Sequence, residues 1–179
     1  MRLPAPLRSV LLAGVACACA QLGGTSASPG DTSITAGLPD SVRRDIASMM
    51  RAVTPLADPA AADRVGYPAT MGACAADSAA GAMGHHLVNR PLFDDKLDIE
   101  HPEMLVFAPL GGGKVQLVAV EYVVPYRFVP RDATPPRLFG QDLKHYDKFN
   151  YWEIHVWAWK RNPSGIFADW NPDVTCPAT

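Results

Sequence analysis

The stretch that decides the fold is residues 151–171, with the sequence YWEIHVWAWKRNPSGIFADWN. It contains all four tryptophans of the chain and, within an aromatic run, His155. Aromatic and β-branched residues at this density predict a β-strand, whose side chains alternate between two faces. One face would be plain core and consists of Trp152, Ile154, Val156 and Ala158. The other mixes ionisable groups with large rings and consists of Tyr151, Glu153, His155, Trp157 and Trp159. Such a mixture is typical of a pocket wall, so this face is where we predict a site.

Length and composition indicate a single, loop-rich domain. The chain has 179 residues, enough for one domain with a sizeable core, and its 17 prolines and 14 glycines indicate many turns. The formal net charge is −2, which is unlike the basic footprint of a nucleic-acid-binding protein. We therefore predict no nucleic-acid partner, whereas a small-molecule ligand is compatible with the composition.

The N-terminus has the features of an export signal. Arg2 and Arg8 supply positive charge, residues 9–18 form a short apolar segment, and small residues follow at the positions that signal peptidases require. We predict a signal peptide at residues 1–20, with cleavage as late as residue 27 as the alternative. The mature protein would then be secreted or periplasmic.

The four cysteines fall into two pairs with different predicted fates. Cys17 and Cys19 lie in the signal region, and acylation of either one would make the protein a lipoprotein, which is the only membrane contact that we predict. Cys74 and Cys176 remain in the mature chain, and an even number of cysteines in an oxidising compartment predicts a disulfide. A redox or metal-binding thiol pair is the alternative, but it requires closer spacing.

The mature chain divides into a tether and one domain. Residues 21–37 are rich in Gly, Ser, Thr and Pro and lack apolar periodicity, which predicts a flexible tether. The domain would comprise residues 38–179 and begin with two helices. Apolar residues at helical spacing predict the first helix from about Asp40 to Thr54, and Pro59 marks the start of a short second helix.

The second half of the chain is predicted to be rich in strands. Strands are indicated at residues 83–88, 104–108 and 114–124, and three glycines at 111–113 join the last two as a hairpin. Residues 125–146 form a proline-punctuated excursion long enough to be a flap or rim loop. We predict an α+β fold with one curved, partly barrel-like antiparallel sheet and the N-terminal helices on one side.

Glu121 is the carboxylate most clearly predicted to be buried. It lies in the strand KVQLVAVEYVV, where it alternates with Val115, Leu117, Ala119 and Val123. An ionised carboxylate on such an apolar face is costly unless it is paired or binds a metal. The natural partner is His155, on the aromatic strand.

His86 is predicted to complete the site. His85 and His86 are neighbours on one strand and face opposite ways, so only one can join Glu121 and His155. His86 shares its face with Gly84, whose small size would leave space beside the imidazole. Two histidines and one carboxylate from three strands form the ligand set of catalytic zinc and non-haem iron sites.

The predicted function is therefore that of a secreted metalloprotein, a metal-dependent enzyme of unspecified reaction that binds zinc, copper or iron. Glu153 would be a fourth ligand or an outer-shell group, while Trp157, Trp159 and His85 would shape the pocket. Two alternatives remain open, since these residues form no local motif such as HExxH. The aromatic pocket could bind an apolar or planar small molecule without metal, or the Glu121–His155 pair could be a structural hydrogen bond.

Four segments carry a resemblance to a known family. They are GAMGHHLVN (residues 81–89), VAVEYVV (118–124), RLFGQ (137–141) and IHVWAWKRNPSGIFADWNPDVTC (154–176). Together they resemble a family of uncharacterised secreted bacterial proteins with the pattern GAMGxHYVN…VEY…LFG…HVWxWxxNPxGxFxxWNPxVxC. The second histidine of the pair, here His86, is the pattern position, and Leu87 stands where the pattern has Tyr. The chain is more distantly similar to plant oil-body-associated proteins. The resemblance implies the same three site residues and no particular activity.

Overall fold

The computed structural model describes residues 33–177, and it shows a mixed α+β fold made mostly of strands and loops. The predicted signal peptide and most of the predicted tether lie outside the described residues. Within the described part of the chain, no helix is both long and apolar enough to cross a membrane.

Two helices form the N-terminal part of the described chain. Helix α1 (Asp40–Val53) ends where a 3₁₀ turn at Thr54–Leu56 begins, and helix α2 (Pro59–Asp63) begins directly after Asp58. The Asp58 carboxylate caps α2 by accepting a hydrogen bond from the backbone N–H of Ala60 at 3.0 Å. Both helices lie where the apolar spacing and the proline positions predicted them. The buried residues of α1 recur at helical spacing and are Val42, Ile46, Met49 and Val53.

A six-stranded antiparallel sheet forms the body of the fold. Its strands are hydrogen-bonded in the order β1-β2-β3-β4-β8-β7, and the sheet curls into a half-barrel. The predicted curved, partly barrel-like sheet is thus confirmed. Strands β5 and β6 form a separate small hairpin within the predicted rim loop, which also contains β7. The strands are β1 (Ala75–Asp77), β2 (Gly81–Val88), β3 (Met104–Gly111), β4 (Lys114–Pro125), β5 (Arg137–Leu138), β6 (Gln141–Asp142), β7 (Lys144–Tyr146) and β8 (Tyr151–Val156).

The two faces of the sheet are covered by different parts of the chain. One face packs against α1 in the main core, and it includes the plain apolar set predicted for the aromatic strand, Trp152, Ile154, Val156 and Ala158. The other face is covered in part by the segment after β8, where Val174 packs with Trp157 and Asn171 forms a β-bridge with Ala82. The ionisable residues predicted for the site lie on this second face.

A β-bulge in β4 changes the predicted alternation. The register with β3 shifts at Val118, which has no partner residue, so the side chains before it exchange faces. Val115 and Leu117 therefore pack in the main core beside the helices. The prediction that these two residues share the face of Glu121 was wrong, because alternation along a sequence does not reveal an inserted residue.

Gly84 is required by the backbone conformation of β2 and by its close approach to β3. Its φ is +116°, and a Cβ placed there would lie 2.5 Å from the carbonyl oxygen of Phe107. Glycine is therefore required where β2 and β3 approach closely. The predicted role of Gly84, to leave space beside His86, is corrected accordingly.

The predicted disulfide is present. Cys74 and Cys176 are bonded, with their Cα atoms 5.7 Å apart and 102 residues apart in sequence. The bond attaches the C-terminal segment to the residue that precedes β1, and so fixes the cover of the second face.

Candidate metal centre

Three strands bring the predicted ligands together. His86 comes from β2, Glu121 from β4 and His155 from β8. In the sheet, Glu121 lies directly opposite His155 across the β4–β8 pair. The Nε2 atoms of His86 and His155 lie 3.3 and 3.6 Å from the same carboxylate oxygen, Glu121 Oε2. The prediction that the three side chains share one face and converge is confirmed.

His155 is the unusual member of the group. Its side chain is completely buried, yet neither ring nitrogen has a hydrogen-bond partner. The 3.6 Å separation from Glu121 is too long for a hydrogen bond. Since buried polar atoms are nearly always paired, an unpaired imidazole that points at a carboxylate calls for an explanation. The structural hydrogen bond considered for this pair is not formed.

The spacing of the three atoms suits a metal ion. Ligands that bind at roughly 2.0–2.1 Å in a tetrahedral arrangement lie about 3.4 Å from one another. The two distances to Glu121 Oε2 bracket that value, and one ligand atom from each of the three residues lies within 4.8 Å of the other two. His86, Glu121 and His155 therefore form a group that could hold a metal ion.

Burial keeps both histidines neutral. It lowers the pKa of His86 to about 4, although the negative charge of Glu153 opposes the shift. Burial also lowers the pKa of His155 well below its usual value, and repulsion between its protonated form and the neighbouring His86 and Lys144 adds to the effect. A neutral imidazole has a free lone pair, which is the form that binds a metal.

The carboxyl groups of Glu121 and Glu153 share a buried environment. Burial raises the pKa of Glu121, while hydrogen bonds from Glu153 and Tyr151 oppose the rise. Burial is also the main cause of the raised pKa of Glu153. The charge of Glu121 and the hydrogen bond between the two groups raise this pKa further. Two carboxylates this close do not both ionise readily, so the pair favours a singly protonated state. Glu153 lies beside Glu121, and its role as a fourth ligand or an outer-shell group stays a prediction.

Asp169 is a neighbour that the sequence did not predict. Ligand atoms of Glu153, His155 and Asp169 lie within 4.8 Å of one another and form a second group with metal-binding chemistry. Asp169 also forms an ion pair with Lys144 of β7. A carboxylate beside a metal-binding imidazole commonly fixes its tautomer and orientation. Asp169 lies in an irregular segment without periodicity. The only sequence signal for it is its position in the run FADWN, shortly after the aromatic strand.

A cavity of about 850 Å³ opens over the group. His86, Glu121 and Glu153 line it, whereas the fully buried His155 lies beneath its surface. Its volume is within the range of small-molecule sites. The aromatic residues that line the cavity are Phe93, Tyr146, Phe149, Tyr151 and Trp170.

Three residues predicted to shape the pocket lie elsewhere. Trp157 is buried beneath the C-terminal segment and donates its indole N–H to the carbonyl of Ala168 at 2.7 Å. Trp159 packs in the main core, because β8 ends at Val156 and the alternation stops there. His85 does not line the cavity, and its Nδ1 lies 2.8 Å from the carbonyl oxygen of Gly72.

No protein-family model, curated protein or solved structure matches the chain. The resemblance to the uncharacterised secreted family therefore stays a prediction.

Proposed function

We propose that His86, Glu121 and His155 bind one divalent cation and that the protein is a metal-dependent enzyme acting on a small molecule. The observation that carries the proposal is the completely buried His155, whose Nε2 has no hydrogen-bond partner and points at the carboxylate of Glu121. A cation would satisfy that nitrogen and offset the cost of burying Glu121.

The ligand set narrows the choice of metal and of chemistry. Two neutral imidazoles and one carboxylate suit zinc, copper or iron rather than calcium or magnesium, which prefer oxygen ligands. The remaining coordination positions would face the cavity, because His86 and Glu121 line it. A cation placed there could polarise a substrate oxygen or activate a bound water molecule.

Titration with zinc tests the proposal. Wild-type protein stripped of metal by a chelator should bind one equivalent of zinc in a calorimetric titration. His86→Ala and Glu121→Gln each remove a ligand, so they should weaken binding by more than the roughly 10- to 100-fold that outer-shell changes cost.

His85→Ala is the matched control, since His85 is the chain neighbour of His86 but belongs neither to the ligand group nor to the cavity lining. Zinc affinity should be unchanged in this variant. A wild-type protein that binds neither zinc, copper nor ferrous iron would refute the proposal. So would an equal loss of affinity in the His85→Ala and His86→Ala variants.

A metal-free binding module is the second candidate, and the cavity is the observation that favours it. In that case the cavity would bind a planar or apolar molecule and the three polar residues would set its orientation. Ligand binding that is unaffected by chelators, together with no metal uptake, would support this candidate.

We also propose that the protein is exported and functions outside the cytoplasm. The Cys74–Cys176 disulfide supports this, because such bonds persist in oxidising compartments. The intact mass of the exported protein should correspond to a chain that begins after residue 20 or later. A retained Met1 would contradict export by signal cleavage, and a lipid-sized increment on a chain starting at Cys17 or Cys19 would indicate a lipoprotein.

A further inference from the structure

Three positively charged side chains line the cavity above the metal ligands. Arg90 follows β2, Arg127 follows β4, and Lys148 lies between β7 and β8. All three residues are exposed, so they lie at the mouth rather than at the floor. They come from three separate segments, yet they face one opening.

None of these three cations has an acidic partner among residues 33–177. Other basic residues of the same part of the chain are paired, for example Arg131 with Asp147 and Lys144 with Asp169. The carboxyl groups among the lining residues of the cavity belong to Glu121 and Glu153, which are buried at its floor. The chain as a whole is slightly acidic, with 16 basic and 18 acidic residues, so the positive mouth is a local feature. A local concentration of unpaired positive charge attracts anions.

Contacts at the mouth fix the positions of two of the cations. A guanidinium nitrogen of Arg127 donates to the backbone carbonyl of Phe93 at 3.1 Å, and the guanidinium lies 4.6 Å from the ring centre of Phe128, which does not line the cavity. The ammonium of Lys148 lies 5.3 Å from the ring centre of Phe149. Phe93 and Phe149 both line the cavity. A ligand that meets these charges therefore meets aromatic surface beside them.

Stacked rings form one wall of the cavity. Tyr151 stacks on Tyr146 and on Phe149, with ring centroids 5.6 and 5.9 Å apart. Phe149 is 56% exposed, which leaves much of its ring without a protein partner. An exposed aromatic ring at the rim of a cavity is suited to stacking against a planar ligand.

We infer that the substrate is a small aromatic anion, carrying a carboxylate or a phosphate. The anionic group would contact Arg90, Arg127 and Lys148 at the mouth, the planar body would lie against the wall formed by Tyr146, Phe149 and Tyr151, and the reacting group would reach the metal. This inference rests on the proposed function for the reacting end only, because the mouth and the wall do not involve the metal ligands.

A pair of probes of the same shape but different charge tests the inference. Binding of 1-naphthoate and of neutral 1-naphthalenemethanol is measured by saturation-transfer NMR titration, with and without zinc. The inference expects 1-naphthoate to bind at least about tenfold more tightly, and added salt to reduce this preference because it screens exposed charges. Phenyl phosphate, in a third titration, distinguishes a preference for phosphate from one for carboxylate.

A triple variant, Arg90→Gln, Arg127→Gln and Lys148→Gln, should lose the preference for 1-naphthoate while binding 1-naphthalenemethanol unchanged. The matched control removes three exposed cations outside the cavity, Arg44→Gln, Arg64→Gln and Lys114→Gln, and should keep the preference. Equal binding of the two probes by the wild type, no binding of either, or an equal loss in the control would overturn the inference. Failure of zinc binding with the anion preference intact would instead count against the proposed enzyme and leave the inference standing.

Discussion

Glu103 and Glu121 are both buried carboxyl groups, but their surroundings differ. Glu103 is 1% exposed, and its carboxylate oxygen accepts a hydrogen bond from the backbone N–H of Val123 at 3.1 Å. Glu121 instead directs one oxygen at two imidazoles without a hydrogen bond to His155. The unpaired His155 beside a carboxylate therefore distinguishes the candidate metal site from an ordinary buried acid, whereas burial is common to both.

Glu103 should make the free energy of unfolding depend on pH. Burial raises its pKa to about 8 from an ordinary value of 4.5, with the charges of Asp94 and Glu121 adding to the rise and backbone hydrogen bonds opposing it. Between these two values the unfolded chain has lost the proton and the folded protein has kept it. The stabilisation is thus complete below pH 4.5 and is lost as the pH rises through about 8. The free energy of unfolding should fall by about 1.4 kcal/mol per pH unit in this window from Glu103 alone.

Glu103→Gln removes this titration while keeping the size of the side chain. Urea denaturation of both proteins at several pH values should show the wild type losing stability relative to the Glu103→Gln variant as the pH rises from 4.5 to about 8. The histidines and the other buried acids titrate in both proteins, so their contributions cancel in the difference. Parallel pH profiles for the two proteins would show that Glu103 is ionised in the fold.

Alternation along single strands was enough to predict the three candidate ligands. His86, Glu121 and His155 each lie in a regular strand segment, where every second side chain shares a face. Asp169 could not be predicted in this way, because it lies in an irregular segment. Trp159 was placed on the wrong face for the related reason that β8 stops at Val156.

At the scale of the elements, the order of the strands was not predictable from the sequence. Strand β3 lies between β2 and β4, so the strands of His86 and Glu121 are not neighbours. Across that gap β3 contributes apolar residues, with Val106 opposite His86 and Met104 opposite Glu121. The curl of the sheet brings the two side chains within 3.3 Å despite the intervening strand. Pairing and curl depend on contacts distant in sequence, which alternation does not report.

Gly84 provides a test at this scale, because the β2–β3 pairing depends on a close backbone approach. Replacement by alanine would force a φ of +116° on a residue with a Cβ and bring that Cβ to 2.5 Å from the Phe107 carbonyl oxygen. We expect Gly84→Ala to lower the free energy of unfolding by about 3 kcal/mol or more, since strain and a clash add. Urea denaturation measures the loss.

Gly165→Ala is the control for the strain alone. Gly165 lies in the segment after β8 with the same φ of +116°, and a Cβ there would meet nothing within 4 Å. Its replacement should cost only about 1 kcal/mol. Equal losses in the two variants would mean that the close approach of β2 and β3 contributes nothing.

At the scale of the whole molecule, the site depends on a sheet and an irregular cover. The segment after β8 carries Asp169 and Trp170 and is held to the sheet by the Asn171–Ala82 bridge and the disulfide. Trp170 lines the cavity, so this segment completes the pocket as well as covering the core. Although its course could not be predicted, the paired cysteines did predict that its end returns to the start of the sheet.

The proposed divalent cation lies between the three predicted ligands, and its position can be observed directly. The most direct measurement is an anomalous difference map, collected at the zinc absorption edge, from crystals grown with zinc. We predict one strong peak within about 2.5 Å of His86 Nε2, Glu121 Oε2 and His155 Nε2, as expected for direct ligands. Zinc found only at surface groups such as His101 and Asp98, with the three side chains in place and no peak between them, would contradict it.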